Sequence, residues 1–114
     1  MIRKIYDQLC HLGVTANYTG FFHAAYAIYL VVDNPQRLLR VTKNLYPEVA
    51  KHYYTSAACV ERNIRTIVER AWKNNRQLLK QMAMYNVSSK PTPSQFIAIL
   101  ASSFPYREPL AQNY

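Results

Sequence analysis

The chain has 114 residues, half of them hydrophobic, with two glycines and two cysteines. That length suits one domain with one modest core, the apolar content excludes a disordered chain, and the scarcity of glycine argues against a turn-rich β fold. Its 14 basic and 6 acidic residues leave +8, and residues 37–90 alone hold 11 Lys/Arg against 3 acids, so 11 minus 3 places the whole net charge in that segment.

In chain order, "IRKIYDQLCHLGV" sets Ile2, Ile5, Tyr6, Leu9 and Leu12 at helical spacing, with Gly13 as the stop. "TGFFHAAYAIYLVVDN" is apolar nearly all round, which predicts a central helix with Tyr26 and Tyr29 in the core. Its run "FFHAAYAIYLVV" is interrupted by His23 and too short to span a bilayer, so no membrane partner is expected. Asn34-Pro35 caps and starts another helix, with a buried stripe of Leu38, Leu39, Thr42 and Leu45. Pro47 opens a short helix that ends near Tyr53, and Thr55 or Ser56 caps the next, which runs to Trp72. "KNNRQLLKQMAMYNV" predicts one more short helix, broken by "SSKPTPSQ". Thr92 is then the N-cap, Pro93 the first helical residue and Gln95 the reciprocal capping partner, with Phe96, Ile97, Ile99 and Leu100 inward. Residues 105–114 read as a frayed tail. The expected fold is all-α: one compact domain of six or seven helices over residues 1–104.

"VAKHYYTSAACVERNIR" satisfies what two helices crossing at a tight turn require. Val49 and the small Ala50 stand where the helices touch, Tyr53 anchors the end of the first, and Val60 and Ile64 begin the buried side of the second. This predicts a helix-turn-helix over about 47–72. Tyr54 fits its turn poorly, because that position often demands a left-handed backbone.

The other side of the second helix carries Ala58, Cys59, Glu61, Arg62, Arg65, Thr66 and Glu69. In a helix-turn-helix this face lies in the major groove. An arginine can hold guanine O6 and N7 with two bonds, and a glutamate can accept from cytosine N4. Glu61 is the more informative residue, because a carboxylate near phosphates is unfavourable unless it reads a base or braces an arginine. Ala58, Cys59, Glu61, Arg62, Arg65 and Thr66 are therefore the candidate base-reading set, with Ser56, Lys43 and Lys51 as candidate phosphate contacts. The plainer alternative is ordinary pairing at four-residue spacing, Glu61 with Arg65 and Glu69 with Lys73.

Three blocks, "LYPEVAK", "VERNIR" followed by "AW", and "KPTPSQFIA", resemble the C-terminal, DNA-binding effector domain of the sporulation master response regulators of endospore-forming bacteria (stage 0 sporulation protein A). The family reads very nearly "LYPDIAK", "VERAIR…AW" and "KPTNSEFIA" in the same order. The resemblance covers roughly residues 5–104. It implies an all-helical domain whose recognition helix reads a TGTCGAA-type box, and transcriptional control by a pair of domains on tandem boxes. It implies base-reading roles for Glu61, Arg62 and Arg65, and a phosphate contact for Lys90 of the "KPT" loop. The family usually carries arginine where Cys59 stands and histidine where Thr66 stands. The segment between Trp72 and Lys90 is also several residues shorter here, near the surface implied to meet RNA polymerase sigma factor. The family's receiver domain has no counterpart: the only aspartates are Asp7 and Asp33, with no acidic cluster.

His11, His23 and His52 are too widely spaced to suggest a metal site. Cys59 could be a redox-sensitive thiol beside Arg62, but a small neutral residue at a groove-facing position is the simpler reading. No carboxylate pair, nucleophile–base pair or glycine-rich phosphate loop is visible, so neither catalysis nor a cofactor is expected. The cysteine usage and the lack of a signal peptide fit a reducing cytoplasm.

The expected function is a sequence-specific regulator bound to double-stranded DNA, with a homodimer on tandem sites and sigma factor as further partners. The alternative is a receiverless interaction module that antagonises a full-length relative or sigma factor. If the basic segment lies along phosphates, the log–log dependence of affinity on salt should have a slope of roughly −3 to −6, for about four to six neutralised phosphates. A slope near zero in fluorescence anisotropy titrations would remove nucleic acid as the main partner.

Overall fold

The structure is a computed structural model, and it describes residues 1–104. The tail expected over 105–114 lies outside the described residues. Among those described, all regular structure is helical.

Helix α1 (Ile2–His11) buries Ile5 and Leu9. It stops where the spacing predicts: Gly13 takes φ +86, a left-handed conformation that a side chain disfavours. Helix α2 (Thr19–Asp33) is the centre, packing on α1 and on three of the later helices. Burial runs nearly all round it, as its composition demands, from Phe21 and His23 to Leu30 and Val31. Tyr29 corrects the expectation: it is 40% exposed, in a surface pocket shared with Met1, Ile2 and His52.

After α2 the chain tightens. Asn34 caps as expected, its side chain accepting from the Gln36 amide, and Pro35 opens the element. That element is a 3-10 helix (Pro35–Arg40), followed by the single turn α3 (Val41–Asn44). The expected α-helical stripe therefore fails. Three residues per turn bring Leu38 and Val41 into register. These two pack against the core, while Leu39 is 80% exposed and Thr42 is also exposed. Leu45, beyond the break, is fully buried as expected.

Helix α4 (Tyr46–His52) has Pro47 in its first turn and buries Val49 and Ala50. The link to α5 (Ala57–Met82) passes through Tyr54 at φ +56, the strained position that the sequence flags. Ser56 caps α5, its hydroxyl accepting from the Cys59 amide at 3.1 Å. Val60, Ile64, Ile67, Val68 and Ala71 then form the buried stripe.

The expected stop at Trp72 and the separate short helix resolve into one 26-residue element bent at Asn75, whose φ of −156° and ψ of 61° are not helical. Asn75 Oδ1 accepts from the Leu78 amide at 3.2 Å, so the asparagine caps the second half. The side chains of Asn74 and Asn75 also donate to the Gly13 and His11 carbonyls, at 2.8 and 2.9 Å, and fasten the bend to the end of α1. Helix α6 (Pro93–Ser102) begins with the expected reciprocal box between Thr92 and Gln95 and buries Phe96, Ile97, Ile99 and Leu100.

The tightest crossing joins α2 to α5. A Cβ built on Gly20 would stand 2.3 Å from the Asn63 carbonyl oxygen and 2.8 Å from Ile67 Cγ1. The first of these is backbone and cannot swing away. Gly20→Ala should therefore destabilise the domain by about 1–3 kcal/mol through overpacking. Ile64→Ala, deleting a fully buried side chain, should cost about 2–4 kcal/mol. Urea unfolding measures both, and losses of a few tenths would mean that α5 does not pack on α2 in this way.

Candidate nucleic-acid interface

The side of α5 opposite its buried stripe faces solvent. Ala58, Arg62, Arg65, Thr66 and Glu69 are exposed, and Cys59 and Glu61 are half-buried. With them at the start of the helix are the cap Ser56 and, on α4, the exposed Lys51. The expected base-reading residues thus share one face of α5, whereas Lys43 stands on α3 and Lys90 in the loop before α6. The shared face follows from the α-helical period once Val60 and Ile64 are fixed inward.

Arg65 Nη2 lies 3.4 Å from Glu61 Oε1, the expected four-residue pair, with the two side chains 55% and 42% exposed. Exposed helical pairs of this type contribute only about 0.3–0.5 kcal/mol, so either partner can be drawn off by a base edge at little expense. Tyr46, at the start of α4, packs behind them. Its hydroxyl is pushed up to about 12 by burial and then by the Glu61 charge, against a smaller opposite effect of Arg65.

Glu69 departs from the expected Lys73 pairing: its partner is Lys90 of the "KPT" loop, at 3.6 Å. Nothing within four residues of either position signals this contact. It ties the loop before α6 to the exposed side of α5.

Cys59 lies at the third position of α5, beside its cap. A hydrogen bond from Thr55 pulls its thiol below the usual range; burial opposes this, and the Arg62 charge with hydrogen bonds from Arg62 and Asn63 adds to it. Asn63 is the residue that sequence reasoning missed. Its Nδ2 lies 3.5 Å from the Cys59 sulfur and 3.4 Å from Nδ1 of His23 on α2, and its carbonyl receives Gly20. A polar residue at the edge of the buried stripe was the available signal, but its partners on α2, His23 and Gly20, lie 40 or more residues away.

The structure also divides the basic segment. Arg70 lies over the Tyr18 ring, and Arg76 and Lys80 over Trp72. Arg65 and Lys90 hold acids. Among the described residues this leaves Arg37, Arg40, Lys43, Lys51, Arg62 and Lys73 with neither an acid nor a ring.

A short helix, a tight turn and a second helix with a charged, outward face at its start define an all-helical domain of the helix-turn-helix class. A family model described as "Sporulation initiation factor Spo0A C terminal" matches residues 5–104, and the chain belongs to that family. It is accordingly a DNA-binding domain of the sporulation regulators, acting in transcription regulation. No helix among the described residues is long and apolar enough to cross a membrane.

His23 gives the stability of the fold a measurable dependence on pH. The side chain is 4% exposed between Asn63 and the Tyr53 ring, and burial lowers its pKa from 6.5. The folded protein holds the neutral imidazole, whereas the unfolded chain takes up a proton below about pH 6.5. Stability from this site is full above that pH and lost as the pH falls toward the lowered folded value. Urea unfolding at pH 7.5 and 5.5 should show the loss, and His23→Gln should flatten it. An unchanged slope in the variant would assign the effect to another group.

Proposed function

We propose that the domain reads a TGTCGAA-like box in double-stranded DNA through the first turns of α5. Arg62, Arg65 and Glu61 contact base edges, with Ala58, Cys59 and Thr66 lining the groove. Ser56, Lys43, Lys51 and Lys90 meet phosphates, Lys90 by exchanging Glu69 for a phosphate oxygen. The observation that carries this reading is the outward row of Glu61, Arg62 and Arg65 beside the turn that follows α4. A carboxylate among cations reads a base or orders an arginine, whereas a sequence-blind binder has no use for it. Two copies on tandem boxes, and sigma factor as a further partner, belong to the same reading.

Arg62→Ala should weaken the preferred duplex by about 1–3 kcal/mol and relax preference at one base pair. Glu61→Ala should relax preference and raise affinity for scrambled duplexes, since it removes a negative charge from a surface that faces a polyanion. Lys90→Ala should lower all sequences alike and flatten the salt slope by roughly one unit. Cys59→Arg should strengthen binding, more for the preferred duplex than for a scrambled one. Binding isotherms on matched and scrambled duplexes measure all four. Equal loss on both duplexes for Arg62→Ala would end the base-reading assignment. Absence of any preferred duplex, together with co-purification of a full-length relative, would transfer the function to antagonism of that relative.

A further inference from the structure

Of the six cations in residues 37–90 that hold neither an acid nor a ring among the described residues, three are gathered at one place. Arg37, Arg40 and Lys43 line a surface pocket of about 410 Å³, together with the amides of Asn34, Gln36 and Asn44. Glu48 is the one acid in the lining. Three cations against one carboxylate leave the pocket at +2, and none of these four side chains makes an ion pair among the described residues.

The backbone explains the convergence. Residues three apart eclipse on a 3-10 helix, so Arg37 and Arg40 stand in one row, about 6 Å apart along the axis. Lys43 follows three residues later on α3. Arg40 is itself the non-helical link between the two short helices, at φ −147° and ψ 74°, and Lys43 beyond it lines the same pocket. Arg37 Nη1 also donates to the Asn44 carbonyl at 2.8 Å, which holds that guanidinium in place. Three crowded cations beside a single carboxylate keep a surplus of positive charge, which is unfavourable, and an anion relieves it.

The location says which anion. Glu48 in the pocket lining belongs to α4, the first helix of the helix-turn-helix, which packs directly on α5. The basic pocket therefore lies against the first helix of the unit assigned above to DNA. We infer that Arg37, Arg40 and Lys43 form a phosphate clamp that grips the DNA backbone beside the box, outside the base pairs read by α5. One strand presents a phosphate about every 3.4 Å of axis, so a row of this length meets two or three of them. The inference rests on duplex DNA being the partner, and it extends the contacted length of that duplex.

The test uses duplexes of two kinds, one with the box and long flanks and one trimmed at either end of the box. The variant is Arg40→Gln with Lys43→Gln, which spares the Arg37 hydrogen bond. On long duplexes it should bind roughly five- to twentyfold more weakly at low salt, with a slope shallower by about two units. The loss should be equal for preferred and scrambled sequences. Trimming one particular flank should bring the unaltered protein down to the level of the variant and leave the variant unchanged. The charge-preserving pair Arg40→Lys with Lys43→Arg should keep the slope, which separates lost charge from lost fold.

Unchanged affinity and slope in the glutamine variant would overturn the clamp. So would a variant that binds DNA normally but no longer binds vesicles containing phosphatidylserine. The ratio of preferred to scrambled binding should survive in the glutamine variant and be lost in Arg62→Ala. Failure of the clamp is thereby distinguished from failure of base reading.

Discussion

The close crossing of α2 and α5 at Gly20 is the constraint on which the remaining architecture depends. Because Gly20 has no side chain, the Asn63 carbonyl and Ile67 come to within a distance that a Cβ would forbid. That approach sets the rotation of α5 about its own axis. With Ile64, Ile67 and Val68 pressed into the core, the helical period leaves Arg62, Arg65 and Glu69 no position but the outer side. The reading surface is thus a consequence of packing. Its orientation is held by buried apolar contacts, and its own side chains contribute little to stability.

The same crossing joins the outer face to the interior. Asn63 touches the buried His23 on one side and the Cys59 sulfur on the other. His23 in turn packs against the Tyr53 ring at the end of α4, and Tyr26 stacks on His52 with ring centroids 4.2 Å apart. The two helices of the reading unit are therefore braced through α2 as well as through each other. The left-handed Tyr54 between them is a local strain that this bracing can support, since such strain persists only where the surroundings over-determine it.

Charge follows a different logic. The excess in residues 37–90 looks uniform along the chain, yet the fold spends much of it internally. Cations over Tyr18 and Trp72 cover apolar rings, and those beside Glu61 and Glu69 are partly neutralised. Of the free remainder, Arg37, Arg40 and Lys43 gather at the 3-10 helix and α3, and Lys51 and Arg62 flank the turn between α4 and α5, a more strongly directed field than the net charge alone implies.

What the sequence by itself determined was whatever its neighbours within four residues decide. The stop at Gly13, the caps at Asn34 and Ser56, the Thr92–Gln95 box and the inward stripe from Val60 to Ala71 are all of this kind, and all are present. The shared outward face of Glu61, Arg62 and Arg65 belongs with them, because it follows from that stripe. Tertiary structure alone decided the rest. Tyr29 stays exposed in a surface pocket between residues of α1 and α4, which periodicity on α2 cannot reveal. Leu39 is exposed because the chain after Pro35 winds as a 3-10 helix, shifting the phase of its apolar residues. The bend at Asn75 is fastened to carbonyls at the end of α1, and Glu69 meets Lys90 rather than Lys73. Each of these contacts joins residues about 20 to 65 positions apart, where spacing carries no signal and only the path of the chain brings the partners together.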